Sequence, residues 1–310
     1  MNMIRPGALK EGDIIGIIAP ASPLKNEKVK LAVNKIMELG YGVRLGRSCY
    51  KSHGYLAGSD ELRAQDINNM FGDSEIKAIL CLRGGYGTMR ILDMIDLELI
   101  KSNPKIFIGY SDITALHLLI NQKCNLITFH GPMAINIAEG LDKFSMELLL
   151  RSITKTTAIG EINNPEDMDI HCLVGGVAEG KITGGNLSLI TSTIGTRYEI
   201  DTKGKILFLE DVGEDIYKID RMLNQLILSN KLQQVSGIIL GSWQDCNNRE
   251  YEKSLTLDEI FTELILPLGI PTIYNVQIGH CDSKITLPLG LTAEIIAEKG
   301  KIYIKEGAVI

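Results

Sequence analysis

The chain has 310 residues, of which 45% are hydrophobic and 23% charged, and its formal net charge is -6. That length suits two domains or one large one, with ample material for a core. Lysine and arginine are scattered rather than bunched, so the basic footprint that nucleic acid or an anionic membrane surface requires is missing, and small molecules or a second copy of the chain are the expected partners.

Residues 13–19 (DIIGIIA) form a continuous apolar run, the mark of a strand buried on both faces of a parallel sheet. The run is too short for a signal-peptide core followed by a cleavage site, and far too short to span a bilayer, so a cytoplasmic location is expected. Residues 26–39 have helical spacing and stop at Gly40. Strand-like segments follow at 41–45, 78–82 and 106–109, and helix-like ones at 61–71, from 89, and at 113–120. This alternation predicts a doubly wound α/β layer.

Between about 154 and 179 the sequence turns polar and irregular, with Asn163, Asn164, Pro165, Glu166, Asp167, Gly175 and Gly176. The division expected is an α/β domain over 1–155, a linker over 156–180 and a smaller, β-rich domain over 181–310. In the last, residues 206–209, 235–240, 293–297 and 301–305 read as strands. Residues 187–194, 216–228 and 257–265 read as helices, the third stopping before Pro267. The six cysteines, at 49, 81, 124, 172, 246 and 281, show no metal-ligand spacing and are expected to be small buried hydrophobes.

The segment Gly109-Tyr110-Ser111-Asp112-Ile113 places a serine where a strand ends and a helix begins. Such an elbow exposes the hydroxyl and aims the next backbone N–H at an oxyanion. A helix-capping role for Ser111 is the plain alternative. Leu82-Arg83-Gly84-Gly85-Tyr86-Gly87 also follows a strand, and its glycines either bring backbone N–H groups to a negative atom or make a tight turn. Of the five histidines, His280 lies in a loop beside strand ends, as suits a base, with His130 its rival. His117 falls on the far side of the helix after the elbow. Glu210 and Asp211 end the apolar run 206–209, and either could orient an imidazole or simply be solvated.

Taken together these motifs resemble the LD-carboxypeptidases, serine peptidases that include muramoyltetrapeptide carboxypeptidases and microcin C self-immunity peptidases. The resemblance runs through IAPAS at 18–22, RGGYG at 83–87, GYSDIT at 109–114, FHGPM at 129–133 and GGNLSLI at 184–190, and continues in LFLEDVGE at 207–214, IDRML at 219–223 and the GH and LPLG of 279–290. It implies a Rossmann-like N-terminal domain bearing the nucleophile Ser111 and a β-rich C-terminal domain supplying Glu210 and His280. It also implies an oxyanion hole from the Gly85 and Asp112 amides, a homodimer, and no metal or other cofactor.

The implied reaction is release of D-alanine from the murein tetrapeptide during cell-wall recycling. Arg83, with Gly84 beside it, is the candidate for holding the substrate carboxylate. GGNLSLI and GPM favour this reading over a microcin-type peptidase, which should carry an aromatic-rich loop for stacking a base; the sole tryptophan is Trp243. A non-catalytic nucleotide- or sugar-binding protein using the glycine loop is the alternative of another class.

Overall fold

The apolar runs of the first half become the middle of a sheet. The computed structural model describes residues 3–248 and 253–310. In chain order it gives β1 (Ile14–Ile18), α1 (Asn26–Glu38), β2 (Gly42–Leu45), α2 (Asp60–Gly72), β3 (Ile76–Cys81) and α3 (Leu97–Ser102). Next come β4 (Ile106–Gly109), α4 (Thr114–Cys124), β5 (Thr128–His130), α5 (Ala134–Glu139) and α6 (Lys143–Thr154). The five strands are parallel in the order β5-β4-β3-β1-β2. The strand order reverses between β1 and β3, and the carboxyl ends of strands at such a switch point are where open α/β sheets bind ligands. All four residues of β4 are buried, which explains their unbroken apolar character.

The second half continues with β6 (Gly160–Ile162), β7 (His171–Val174), β8 (Val177–Asn186), α7 (Leu187–Ser192), β9 (Lys205–Val212) and α8 (Ile216–Leu228). It closes with β10 (Gly237–Gln244), α9 (Leu257–Leu264), β11 (Thr272–Tyr274), β12 (Leu287–Leu289), β13 (Thr292–Ile296) and β14 (Lys301–Ile304). Seven of these strands join β7 at one edge of an eight-stranded sheet, β6-β14-β13-β8-β9-β10-β11-β7, except β12, which pairs antiparallel with β5 in the first sheet. The run β8-β9-β10-β11 is parallel and the flanking strands are antiparallel.

By its contacts the chain divides into Met1–Thr157 with Thr286–Gly290 and Gly307–Ile310, and Ala158–Ile285 with Leu291–Glu306. Residues 156–180, expected as a linker, instead contain β6, β7 and the start of β8. Their polarity suits edge strands: β6 and β7 are the two edges of the second sheet, and His171 and Cys172 are exposed. Cys172 is thus the exception among cysteines otherwise buried. In β8, any Cβ on Gly184 would collide with the Phe208 carbonyl, so the residue permits close approach of β8 and β9.

Candidate active site

The elbow begins with β4. Tyr110 remains extended at φ -155°, and Ser111 then turns to φ 65°, in the left-handed region. A non-glycine residue there costs about 1–2 kcal/mol and persists only where the surroundings impose it. Residues Ser111–Ile113 form a 3-10 turn that leads into α4. The cap positions belong to Tyr110 and Ile113, and neither makes a side-chain capping bond, so the capping role for Ser111 falls away. Gly109 is needed at the turn because a Cβ there would lie 2.9 Å from the Ile113 side chain.

His117, read as pointing away from the elbow, reaches back to its base. Its Nε2–H donates to the Gly109 carbonyl at 2.8 Å, and complete burial lowers its pKa to about 4. His130 is also buried, 5.8 Å between ring centroids from Tyr110 and 6.3 Å from His117. Both histidines therefore belong to the packing around the end of β4.

The glycine loop lies against the elbow. A Cβ on Gly84 would stand 2.8 Å from Ser111 Cβ, 2.9 Å from Ser111 Oγ and 3.5 Å from the Asp112 nitrogen. Gly85 has φ 116°, and any Cβ on it would strike the Ser22 side chain. Ser22 Oγ in turn accepts the Tyr86 N–H at 3.2 Å. The Arg63 guanidinium, wholly buried, donates to the carbonyls of Pro20 and Gly87. From the other side, Asp112 Oδ2 accepts the Thr88 N–H at 2.8 Å and the Asp112 carbonyl accepts the Thr88 hydroxyl at 2.5 Å. Burial raises the Asp112 pKa, opposed by these backbone donors. Thus Gly84, Ser111 and Asp112 come together, while Gly85, next in the loop, packs against Ser22. Arg83 is half-buried and makes a long contact, 3.5 Å, to the Pro23 carbonyl. Ser22, Arg63 and Thr88 were not singled out from the sequence, although Ser22 ends the IAPAS motif; a buried arginine on a helix carries no local signal.

In the second unit, β9 extends through both acids, so neither is solvated: Glu210 is 0% and Asp211 2% exposed. Glu210 Oε2 accepts from His280 Nδ1 at 2.7 Å and from the His280 backbone N–H at 3.3 Å. Gly279, at φ 100°, leaves room for that carboxylate, which any Cβ would strike. Ser242 Oγ fixes the loop from below by donating to the His280 carbonyl at 2.8 Å. Asp211 is otherwise engaged. It accepts from Ser188 N and Oγ at 2.9 and 2.7 Å and from Asn186 Nδ2 at 2.8 Å, while burial raises its pKa. Of the two acids, Glu210 is the one that meets the histidine. Near this loop a cavity of about 700 Å³ is lined by, among others, Trp243, Phe261, Tyr274, His171, Asp258 and Asp282.

A serine in a strained strand-to-helix elbow beside a glycine loop, and a buried glutamate bonded to a histidine, are the working parts of a serine hydrolase. Comparison with known proteins gives the family. Residues 15–131 match the LD-carboxypeptidase N-terminal domain and residues 179–295 the LD-carboxypeptidase C-terminal domain. The probable murein peptide carboxypeptidase of Bacillus subtilis is 44% identical, over 98% of this chain and 96% of that protein. The structure of muramoyltetrapeptide carboxypeptidase from Oxalobacter formigenes is 28% identical with a TM-score of 0.82, covering 95% of this chain and 98% of that one. Wild-type microcin C7 self-immunity protein MccF, in the apo state, is 27% identical with a TM-score of 0.91, covering 99% and 100%. The chain belongs to the LD-carboxypeptidase family and is a serine-type carboxypeptidase. The fold and family expected from the motifs are borne out, and the reading as a non-catalytic binding protein is set aside. Among the described residues no helix is long and apolar enough to cross a membrane.

Proposed function

We propose that this carboxypeptidase releases the terminal D-alanine of murein tetrapeptides, as a homodimer in the cytoplasm serving the recycling of wall fragments. Ser111 Oγ attacks the carbonyl carbon of the L-configured centre while His280 Nε2 takes the hydroxyl proton. Glu210 holds the imidazole with its proton on Nδ1 and stabilises the imidazolium that forms. The Gly85 and Asp112 amides bind the oxyanion. Collapse of the intermediate breaks the C–N bond, His280 gives its proton to the leaving D-alanine nitrogen, and water then hydrolyses the acyl-serine by the same route. Arg83 and Gly84 are the candidate contacts to the substrate.

The observation that supports this reading most is Ser111 itself, held at φ 65° against Gly84. The murein substrate rests on the names of the relatives. The microcin-type alternative draws support from the likeness to MccF and from the rings of Trp243, Phe261 and Tyr274 around the second-unit cavity. Product analysis separates the two. A synthetic murein tetrapeptide should yield tripeptide and free D-alanine, with little cleavage of a pentapeptide ending in D-Ala-D-Ala and little of an aminoacyl-sulfamoyl nucleoside. Preferential cleavage of the nucleoside conjugate would favour the immunity role, and preferential D,D-cleavage would refute both.

A further inference from the structure

Two side chains tie the elbow to the glycine loop without a place in the reaction itself. The Asp112 carboxylate, 1% exposed, accepts the Thr88 N–H at 2.8 Å. Thr88, 0% exposed, returns its hydroxyl to the Asp112 carbonyl at 2.5 Å. Thr88 donates both bonds, and each side chain meets the other residue's backbone, so the residue after Ser111 is tied twice to the residue that follows the glycine loop. Gly87, at φ 135°, is a position where an ordinary backbone is strained. A glycine loop has little intrinsic stiffness, since each glycine loses more conformational freedom on ordering than any other residue. Oxyanion stabilisation, by contrast, depends on donors that need no reorganisation as charge develops.

We infer that the Asp112 carboxylate and the Thr88 hydroxyl form a reciprocal lock that sets the spacing between the glycine loop and the elbow, and so the geometry of the two oxyanion donors. The two side chains are positioning residues, acting through backbone that they hold. A glycine-loop turn alone would need only its φ values, whereas a pair of buried crossed bonds fixes one loop relative to the other. The inference rests on Ser111 being the nucleophile but not on the identity of the peptide.

The test uses Asp112→Asn, Thr88→Val and Thr88→Ser in the full chain. Asparagine keeps the oxyanion amide but replaces the carboxylate that accepts the Thr88 N–H with a weaker neutral acceptor, or with an N–H that cannot accept it. D112N should lower kcat about 10- to 100-fold with KM within about twofold, somewhat less than removing an oxyanion donor outright. Affinity for a peptidyl boronate that mimics the tetrahedral state should fall by the same factor as kcat/KM. T88V should lose about 3- to 10-fold in kcat and T88S should retain wild-type kcat, because serine keeps the hydroxyl. Wild-type kcat in D112N, a loss confined to KM, unchanged boronate affinity, or equal behaviour of T88V and T88S would overturn the lock. If D112N does not fold, the Thr88 pair decides. The rate of fluorophosphonate labelling at Ser111 is measured alongside. Labelling of the wild type without D-alanine release would sink the substrate assignment, while the lock would still be read from the labelling rates of the variants.

Discussion

Glu210 Oε2 lies 2.7 Å from His280 Nδ1, and no water-facing surface competes for it, because Glu210 is 0% exposed. The other carboxylate oxygen, Oε1, has no hydrogen-bond partner. A buried carboxylate is costly unless it is paired, and here the His280 imidazole and backbone N–H supply the partners of Oε2. The bond places a proton on Nδ1 and leaves Nε2 as the basic nitrogen.

Glu210→Gln should therefore reverse the polarity of that contact and lower kcat by about 10⁴-fold, the loss seen when a triad carboxylate is made an amide. Its neighbour should behave differently. Asp211→Asn sets an amide among the donors of Ser188 and Asn186, so it should cost about 1–3 kcal/mol of stability and leave kcat within about threefold. Steady-state D-alanine release and urea midpoints, measured on both variants, check the contrast. An Asp211 variant with the larger kinetic loss would reverse the assignment.

Gly84→Ala should act on Ser111 rather than on folding. The added methyl would sit 2.8 Å from Ser111 Cβ and 2.9 Å from its Oγ, and displacing a nucleophile by an ångström costs about 10²-fold. A melting temperature within a few degrees of wild type, with kcat/KM down by at least about 10²-fold, is expected. Full activity in this variant would show that Ser111 can work without its present seat.

The His117 imidazole has a folded pKa of about 4, below the roughly 6.5 of an unfolded chain. Between those values the unfolded state holds a proton that the folded state lacks. Its contribution is thus fully present above about pH 6.5 and lost as pH falls toward about 4. By pH 5 the loss should reach about 2 kcal/mol. His117→Gln should flatten this part of the stability curve between pH 7 and 5. The buried Asp112 and Asp211, whose pKa values are raised, titrate with the opposite sign and cancel in the comparison. An equal slope in the variant would contradict the account of His117.

Activity should be indifferent to chelators. Among the described residues no three His, Cys, Asp or Glu side chains are grouped so as to hold a metal ion. Dialysis against EDTA should leave kcat/KM unchanged; a loss that zinc restores would point to a different chemistry.

The elements legible in the sequence were those whose burial makes them uniformly apolar, such as β1 and β4, or whose apolar face repeats at helical spacing, such as α8. The strands β6, β7 and β8 were not legible. Edge strands are polar where they face water, and Gly184 of β8 serves a close approach to Phe208, a partner distant in sequence. Ser111 was visible because an elbow leaves a local pattern of strand, glycine, serine and helix. The choice between Glu210 and Asp211 was not, since adjacent residues of a strand point to opposite faces and the partners that distinguish them come from Gly279-His280 and from α7. Arg63 was invisible for the same reason: its role lies in the carbonyls of Pro20 and Gly87, far from it in sequence.

The proposed function stands or falls with Ser111 as the nucleophile of a tetrapeptide carboxypeptidase. The most direct test measures D-alanine released from a synthetic murein tetrapeptide by wild type and Ser111→Ala, with circular dichroism to establish that both are folded. Release by the wild type and a loss of several orders of magnitude in kcat for the folded variant are expected. A variant that keeps more than about a few per cent of the wild-type kcat would contradict the claim.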